Sequence, residues 1–424
     1  MKPPRDGPVV VLAVLVGAGY MFPIYLTGAL SVEIRADLGL SATRFGAVVS
    51  VFFALGGVLM PFGGRIVDRI GAATAVRLSV AAAAACLAAA AAFGSTVTGL
   101  VVALAVGGLG TAVAGPVGGM LIARGVGPAA APRAFALERS SIPAATLLAG
   151  LAVPTLAAVL HWRAVFLCSA VAVALVALVP VPPLSRPRRQ AGGGALRPIG
   201  PLLGMTGVFF LGSAAATAMS AFLVGYGVAS GTAAGVAGVA LATASAATIG
   251  VRLVLGFTAT GRPPGQRALA ALLLVGAAGF GVLALPSPVA FWGGAVLAAG
   301  AGWGWTGIAG HAVVTAHANA PGAATAVIQA GGCIGGVAGP LVMGVLTDSG
   351  SYTAGLLSLA GFLVLAALTA GLNRGIWARS ASQHPATGMV DRAHIGNLTS
   401  ERNSVRLNGT TEGEEKGAPC PTDR

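Results

Sequence analysis

The chain has 424 residues, 56% of them hydrophobic and 9% charged, with a net charge of +13 and a mean hydropathy of +0.86. A soluble protein carries about a quarter of its residues as Asp, Glu, Lys or Arg, so this composition excludes a water-soluble globular fold. The basic excess does not mark a nucleic-acid binder either, because the arginines lie between long apolar runs.

A helix crosses a bilayer in about 20 mostly apolar residues, since lipid offers no partner to an open backbone. Runs of that kind fall at 9–30, 43–64, 72–93, 97–122, 135–160, 164–183, 200–228, 232–257, 267–286, 289–316, 323–347 and 353–373. The first follows Lys2 and Arg5, as a secretory signal would. It outruns a signal's apolar core and no polar mature domain follows, so it reads as an uncleaved span. Between the sixth and seventh runs lies 184–198, basic and rich in Pro and Gly, which reads as a flexible connector. The domains are therefore 1–183, a helical bundle; 184–198, a cytoplasmic loop; 199–374, a second bundle; and 375–424, a polar tail with too little apolar surface to fold alone. Asn397 and Asn408 in that tail match a glycosylation sequon but carry no weight on a cytoplasmic segment.

With an even number of spans and both ends inside, alternate loops are cytoplasmic. Those loops hold Lys2 and Arg5, Arg65 and Arg69, Arg124 and Arg133, Arg186, Arg188, Arg189 and Arg197, Arg262 and Arg267, then Arg374 and Arg379. The opposite loops hold Arg35, Arg44 and Arg163. This positive-inside pattern predicts a multi-pass protein of the cytoplasmic (inner) membrane with both termini cytoplasmic. Lysine occurs at Lys2 and Lys416 while Ala and Gly dominate, the composition of high-GC, actinobacterial-like bacterial coding. Cys86, Cys168 and Cys333 fall inside runs and Cys420 in the tail; their spacing suits neither a disulfide framework nor a metal.

The two bundles look like copies. The second run ends Gly64-Arg-Ile-Val-Asp68-Arg69, and the eighth ends Gly256 to Thr260, Gly261 and Arg262. The fifth run steps through Ser141, Ala145, Ala149 and Val153-Pro154; the eleventh steps through Gly331, Gly335 and Gly339-Pro340. Four-residue steps of small side chains let helices approach closely.

The loop Gly63-Gly64-Arg65-Ile-Val-Asp68-Arg69-Ile-Gly71 resembles the G-x-x-x-D-R-x-G signature of the major facilitator superfamily. Leu38 to Ser41, Gly46, Ser50, Leu55-Gly56 and Pro61 are similar to that family as well, as is His161-Trp162-Arg163 leading to Phe166. The resemblance covers about residues 8–375. It implies an all-α polytopic fold of about twelve transmembrane helices in two pseudo-symmetric six-helix bundles. It also implies alternating access to a central site, with no cofactor and no metal, and a monomer. From the residues themselves, Gly64 should let a neighbouring helix pack closely. Asp68 should pair with Arg124 or Arg133, or cap a helix N-terminus. The resemblance places that N-terminus on the eleventh helix, near Gly322 or Ala323, as a cytoplasmic latch that Arg69 stabilises. Gly71 should allow a tight turn. In the second copy Thr260 and Gly261 replace the charges. Leu104 stands where proton-linked exporters carry an Arg before Gly108-Leu-Gly110, and Val153 where the antiporter branch carries Gly. The resemblance thus stops short of the drug/proton antiporters.

An ionisable residue inside a span is costly and so is a functional candidate. Glu138 and Arg139 lie in the fifth run, and as neighbours in sequence they are not expected to pair well. Arg252, near the end of the eighth, is expected to snorkel or pair structurally. Glu138 and His311 are candidates for proton coupling. Tyr20 and Tyr25 around Pro23, with Arg139, Trp303, Trp305 and Gln329, are candidates for the substrate cavity, and each has a plain packing alternative. No phosphate loop, H-E-x-x-H or G-x-S-x-G pattern occurs, so neither direct ATP coupling nor an enzyme is expected.

The leading expectation is a secondary active transporter of a small organic solute, with protons as coupling ion if Glu138 or His311 titrates during the cycle. Alternatives are efflux of a drug or secondary metabolite, and, in another class, a non-transporting membrane sensor or scaffold. The partners are the solute and the lipid bilayer.

Overall fold

A computed structural model describes residues 6–382 apart from 128–129, 183, 185–195, 197–198, 259–264 and 318. Lys2, Arg5, Arg186, Arg188, Arg189, Arg197, Thr260, Gly261, Arg262, Cys420, both sequons and the tail beyond 382 therefore lie outside the described residues, as does most of the 184–198 connector.

Among the described residues every regular element is helical. The first half comprises α1 (Asp6–Ala29), α2 (Ser31–Leu38), α3 (Ala42–Ile70), α4 (Ala72–Phe93), α5 (Val97–Gly125), α6 (Ala131–Arg139), α7 (Ser141–Ala152) and α8 (Trp162–Leu175). The second comprises α9 (Ile199–Ala229), α10 (Ala234–Thr258), α11 (Gln266–Leu283), α12 (Pro288–Gly304), α13 (Thr306–Ala316), α14 (Pro321–Asp348), α15 (Tyr352–Leu372) and α16 (Arg374–Ser382). Among the described residues, ten stretches are long and apolar enough to cross a membrane. The shorter α8 and the broken pair α12–α13 complete the passes expected from the sequence. The chain is a multi-pass membrane protein. We call the side where α1 begins and α15 ends proximal, and the other side distal.

Caps and breaks follow from single residues. Ser41, Thr96 and Ser351 each accept a backbone N–H from Arg44, Gly99 and Ala354, and so start α3, α5 and α15. Gly71 takes φ +80° between α3 and α4, a conformation that costs glycine little. The fifth pass is interrupted twice: α6 gives way to α7 at Ser140, three residues before Pro143, and a π-helical turn, Val153–Ala157, contains Pro154. A proline has no N–H and crowds the preceding turn, so both breaks have a cause in the sequence. The helix α16 runs on to Ser382, beyond the residue at which the polar tail was expected to begin. Ile376 is buried on α16, which packs against α13 and α9.

With lipid as apolar as leucine, helices associate by close packing. The eleventh pass shows this: a Cβ at Gly331, Gly335 or Gly339 would strike the carbonyl of Thr206, Phe210 or Ala214 on α9. At the distal end of the first half, Trp162 donates its indole N–H to Asp37 at 3.0 Å, while Arg163 donates to the carbonyls of Ala91 and Ala92 at 2.9 and 3.0 Å. His161 accepts the amide of Arg163 and caps α8. The His-Trp-Arg motif thus ties α2, α4 and α8 into one rigid corner.

Candidate functional site

The two halves meet along a seam of α1, α3 and α7 against α9, α14 and α10. On the distal side it is tight. A Cβ at Gly28 would strike the Ser220 carbonyl, one at Gly46 the Pro340 carbonyl, and one at Gly336 would lie 2.7 Å from the Phe53 ring. Ser50 donates to the Val337 carbonyl at 2.8 Å. At the end of α14, Asp348 accepts the backbone N–H groups of Ala42 and Thr43, both at 2.8 Å, and caps α3 across the seam. The α3–α14 contact reaches Gly57, where a Cβ would lie 2.8 Å from the Cys333 side chain. Proximal to that point a Cβ at Gly64 or Gly322 would meet nothing within 4 Å. The α6/α7–α10 side stays joined for its whole length, from Gly150 against Gly238 to Ala136 against Gly256. Among the described glycines, the close α3–α14 approaches lie from Gly57 toward the distal side.

A cluster of polar and aromatic side chains lies on this seam. Because Pro143 lacks an N–H, the carbonyl of Arg139 loses its helical partner. In the second half, Trp303 lies in the last turn of α12, where carbonyls also go unpaired. Arg252 of α10 joins the two breaks: one guanidinium nitrogen donates to the Arg139 carbonyl and the other to the Trp303 carbonyl at 3.0 Å. The guanidinium lies 5.6 Å from the centre of the Trp303 ring, and Tyr25 meets that ring edge-on at 5.8 Å. Arg252 is only 6% exposed, and its Nε has no partner. Of the two expectations for this residue, snorkelling or structural pairing, the geometry matches the second, because the helix break in α6–α7 offers the side chain a carbonyl inside the bundle.

Glu138 and Arg139 come within 3.5 Å at Oε2 and Nε, a loose contact in keeping with the expectation that neighbours in sequence would not pair well. The end of α6 at Arg139 changes the direction in which the two side chains leave the backbone. The contact is an ion pair without hydrogen-bond geometry, so Glu138 Oε2 stays buried and accepts no hydrogen bond. Tyr20 is half-buried and within electrostatic range of both Glu138 and Arg139. Tyr20, Tyr25, Arg139, Trp303 and Glu138 thus converge, with Arg252 as the member that sequence reasoning ranked too low. Beside Trp303 a void, lined also by Thr146, Met219, Ser220 and Ser245, has room for about one water.

Other candidates lie elsewhere. Trp305 is fully buried, donates to the Gly302 carbonyl at 2.7 Å and packs on Gly212 and Phe209; it fills the core of the second half rather than lining the seam. His311 is exposed on α13, and Gln329 is half-buried on α14. In the signature loop Asp68 reaches Arg124 at 2.7 Å, with 62% of its own side chain exposed. Among the described residues no hydrogen bond joins it to Gly322 or Ala323, and a Cβ at Gly322 would meet nothing within 4 Å. Arg133 lies over the Phe257 ring at 5.9 Å instead. Arg69 is exposed. Close packing falls to Gly63 rather than Gly64: a Cβ at Gly63 would strike the Ala112 carbonyl of α5. One step along a helix turns a residue by about 100°, which is enough to exchange the packed and open glycines.

Among the described residues, no three His, Cys, Asp or Glu side chains gather as metal ligands would. On distal α2, partly buried Glu33 has one carboxylate oxygen without a partner, and burial pushes its pKa above the usual carboxylate value.

Residues 9–340 match the family model of the major facilitator superfamily. Two structures of a bacterial homologue of the human lysosomal transporter Spinster, inward-facing and occupied or unoccupied, resemble this fold with TM-scores of 0.67 and 0.69. Each is 16% identical over 90% of this chain and 99% of that one. The human organic anion transporter MFSD10 (TETRAN) gives a TM-score of 0.65 at 16% identity, over 87% of this chain and 100% of that one. No curated protein matches the sequence.

Proposed function

Because the chain belongs to the major facilitator superfamily of membrane transporters, we propose that it is a secondary active transporter that moves a small organic solute by alternating access. The observation that carries this reading is the asymmetry of the seam: closed distally by Asp348 and the Gly46–Pro340 contact, with no such approach proximally at Gly64 and Gly322. A solute entering between α3 and α14 would meet Tyr20, Tyr25, Arg139, Arg252 and Trp303. Rocking the halves about that cluster would close the Gly64–Gly322 side and open the distal one, the repeat-against-repeat motion open to such folds.

The open side is cytoplasmic in this reading. The described arginines near the proximal face are Arg65, Arg69, Arg77, Arg124, Arg133, Arg267, Arg374 and Arg379; those near the distal face are Arg35, Arg44 and Arg163. That bias supports an inward placement of both termini. Glu138 is the better coupling group for protons, because it is buried on the seam with an oxygen that accepts no hydrogen bond while His311 is exposed. The reading is tested by an uptake screen in proteoliposomes across metabolite classes, with and without an imposed pH gradient. Saturable flux of at least one class supports it, and an inert vesicle across the whole screen overturns it.

A further inference from the structure

Arg252 poses a problem of charge. A guanidinium is always protonated, and burying it without a counter-ion costs several kcal/mol even where carbonyls solvate it. The described acids are Asp6, Glu33, Asp37, Asp68, Glu138 and Asp348. Asp6 and Asp68 lie near the proximal face, and Glu33, Asp37 and Asp348 near the distal one. Glu138 alone lies at the depth of the cluster, and Arg139 is its nearer partner, at 3.5 Å. Among the described residues no carboxylate forms an ion pair with Arg252. Arg139 is 44% exposed at its side chain, so the buried charge left without an ion-pair partner is that of Arg252.

The geometry shows where a compensating charge would sit. Two nitrogens of Arg252 are drawn to the carbonyls of Arg139 and Trp303, and the Nε–H is left without a partner. Each terminal nitrogen carries a second N–H, so Nε and a terminal nitrogen present the side-on fork that binds a carboxylate in two places. The ring of Trp303 lies against the guanidinium and that of Tyr25 against Trp303. A ligand held at the fork would therefore lay its body on aromatic faces.

We propose that Arg252 is the charge-recognition residue of the transport site, and that the substrate is a small organic monoanion whose carboxylate is carried on a flat, largely apolar body. The proposal rests on the transporter reading above. One carboxylate supplies the missing counter-charge and takes up the buried Nε–H that has no partner. A neutral solute would leave Arg252 without a counter-ion, and a cation would add to the uncompensated charge. Because Arg252 joins an α6–α7 carbonyl to an α12 carbonyl, a ligand that draws it to the fork also loosens the tie between halves. Binding is thereby coupled to their movement.

The test uses the full-length protein in detergent, with benzoate, 4-hydroxybenzoate and indole-3-acetate as probes beside their neutral amides and benzylamine. A ligand that binds only the folded form raises its melting temperature with the logarithm of ligand concentration above Kd. At least one carboxylate is expected to raise it in this concentration-dependent way, with its amide and benzylamine inert. R252Q should weaken that carboxylate at least tenfold, R252K should recover part of the loss, and the exposed R77Q should leave it unchanged. If R252Q does not fold, R252K and the carboxylate–amide pair in the wild type still decide. An amide as effective as its acid, no effect from any carboxylate, or full affinity in R252Q overturns the proposal. The same probes are then followed as uptake into vesicles. Flux of neutral or cationic solutes without carboxylate binding removes this inference and leaves the transporter; no flux of any class removes the transporter itself.

Discussion

The carboxylate of Asp348 accepts the backbone N–H of Thr43 at 2.8 Å, joining the last residue of α14 to the first turn of α3. With the equivalent bond from Ala42, it is the hydrogen-bonded closure of the distal face. A charged acceptor at a helix N-terminus satisfies orphan N–H groups and faces the positive end of the dipole, worth about 1 kcal/mol at an exposed site. D348N keeps the shape but loses the charge and one acceptor. It should shift the seam toward distal opening roughly fivefold. Labelling of a cysteine placed at Ser50 by a membrane-impermeant maleimide from the distal side reads this shift, and an unchanged rate removes the latch.

The contact of Gly46 with the Pro340 carbonyl leaves no space for a side chain. G46V should therefore hold the distal face apart. Uptake should fall more than tenfold while the protein still inserts and elutes as a single species from size exclusion. Normal uptake would mean that the distal halves need not meet so closely.

Asp68 and Arg124 form a largely exposed pair, so the bond adds at most about 1 kcal/mol to stability. Its effect should lie in the cycle, where the Gly64–Gly322 side must close. D68N is expected to slow uptake several-fold with a melting temperature within a degree or two of wild type. A large loss of stability with normal flux would assign the pair to the fold alone.

Burial raises the pKa of Glu33, so the folded protein binds that proton more tightly than the unfolded chain. Its stability is then full below the unfolded value and declines as pH rises through the folded one. E33Q abolishes that decline. It should stabilise the detergent-solubilised protein near neutral pH by about 1 kcal/mol or less, since the group is partly exposed, and the gain should vanish in acid. A gain that does not depend on pH contradicts this cause.

The spans were legible because lipid leaves a chain few options, and apolar runs between arginines state the topology almost directly. The signature loop was legible as a motif, yet its packing glycine is Gly63, a register that only a folded helix displays. Tyr20, Tyr25, Glu138, Arg139 and Trp303 were visible as rare polar or aromatic residues within spans. Arg252 was visible too, but its role depends on a carbonyl freed by Pro143, far away in the sequence. Pro143 was the available signal: a proline inside a span unpairs a carbonyl that a polar residue elsewhere can claim. Asp348 gave no signal, because its partners are backbone amides 305 and 306 residues distant.

The most direct test of the whole account is a pair of distances measured by pulsed electron resonance in lipid nanodiscs, with Cys168, Cys333 and Cys420 replaced. One pair of labels sits at Gly64 and Gly322, the other at Arg44 and Ser349. The account predicts two populations in which the distances change in opposite senses: as a transported solute draws the first pair together, the second moves apart. Two distances that stay fixed under every condition that supports uptake would contradict it.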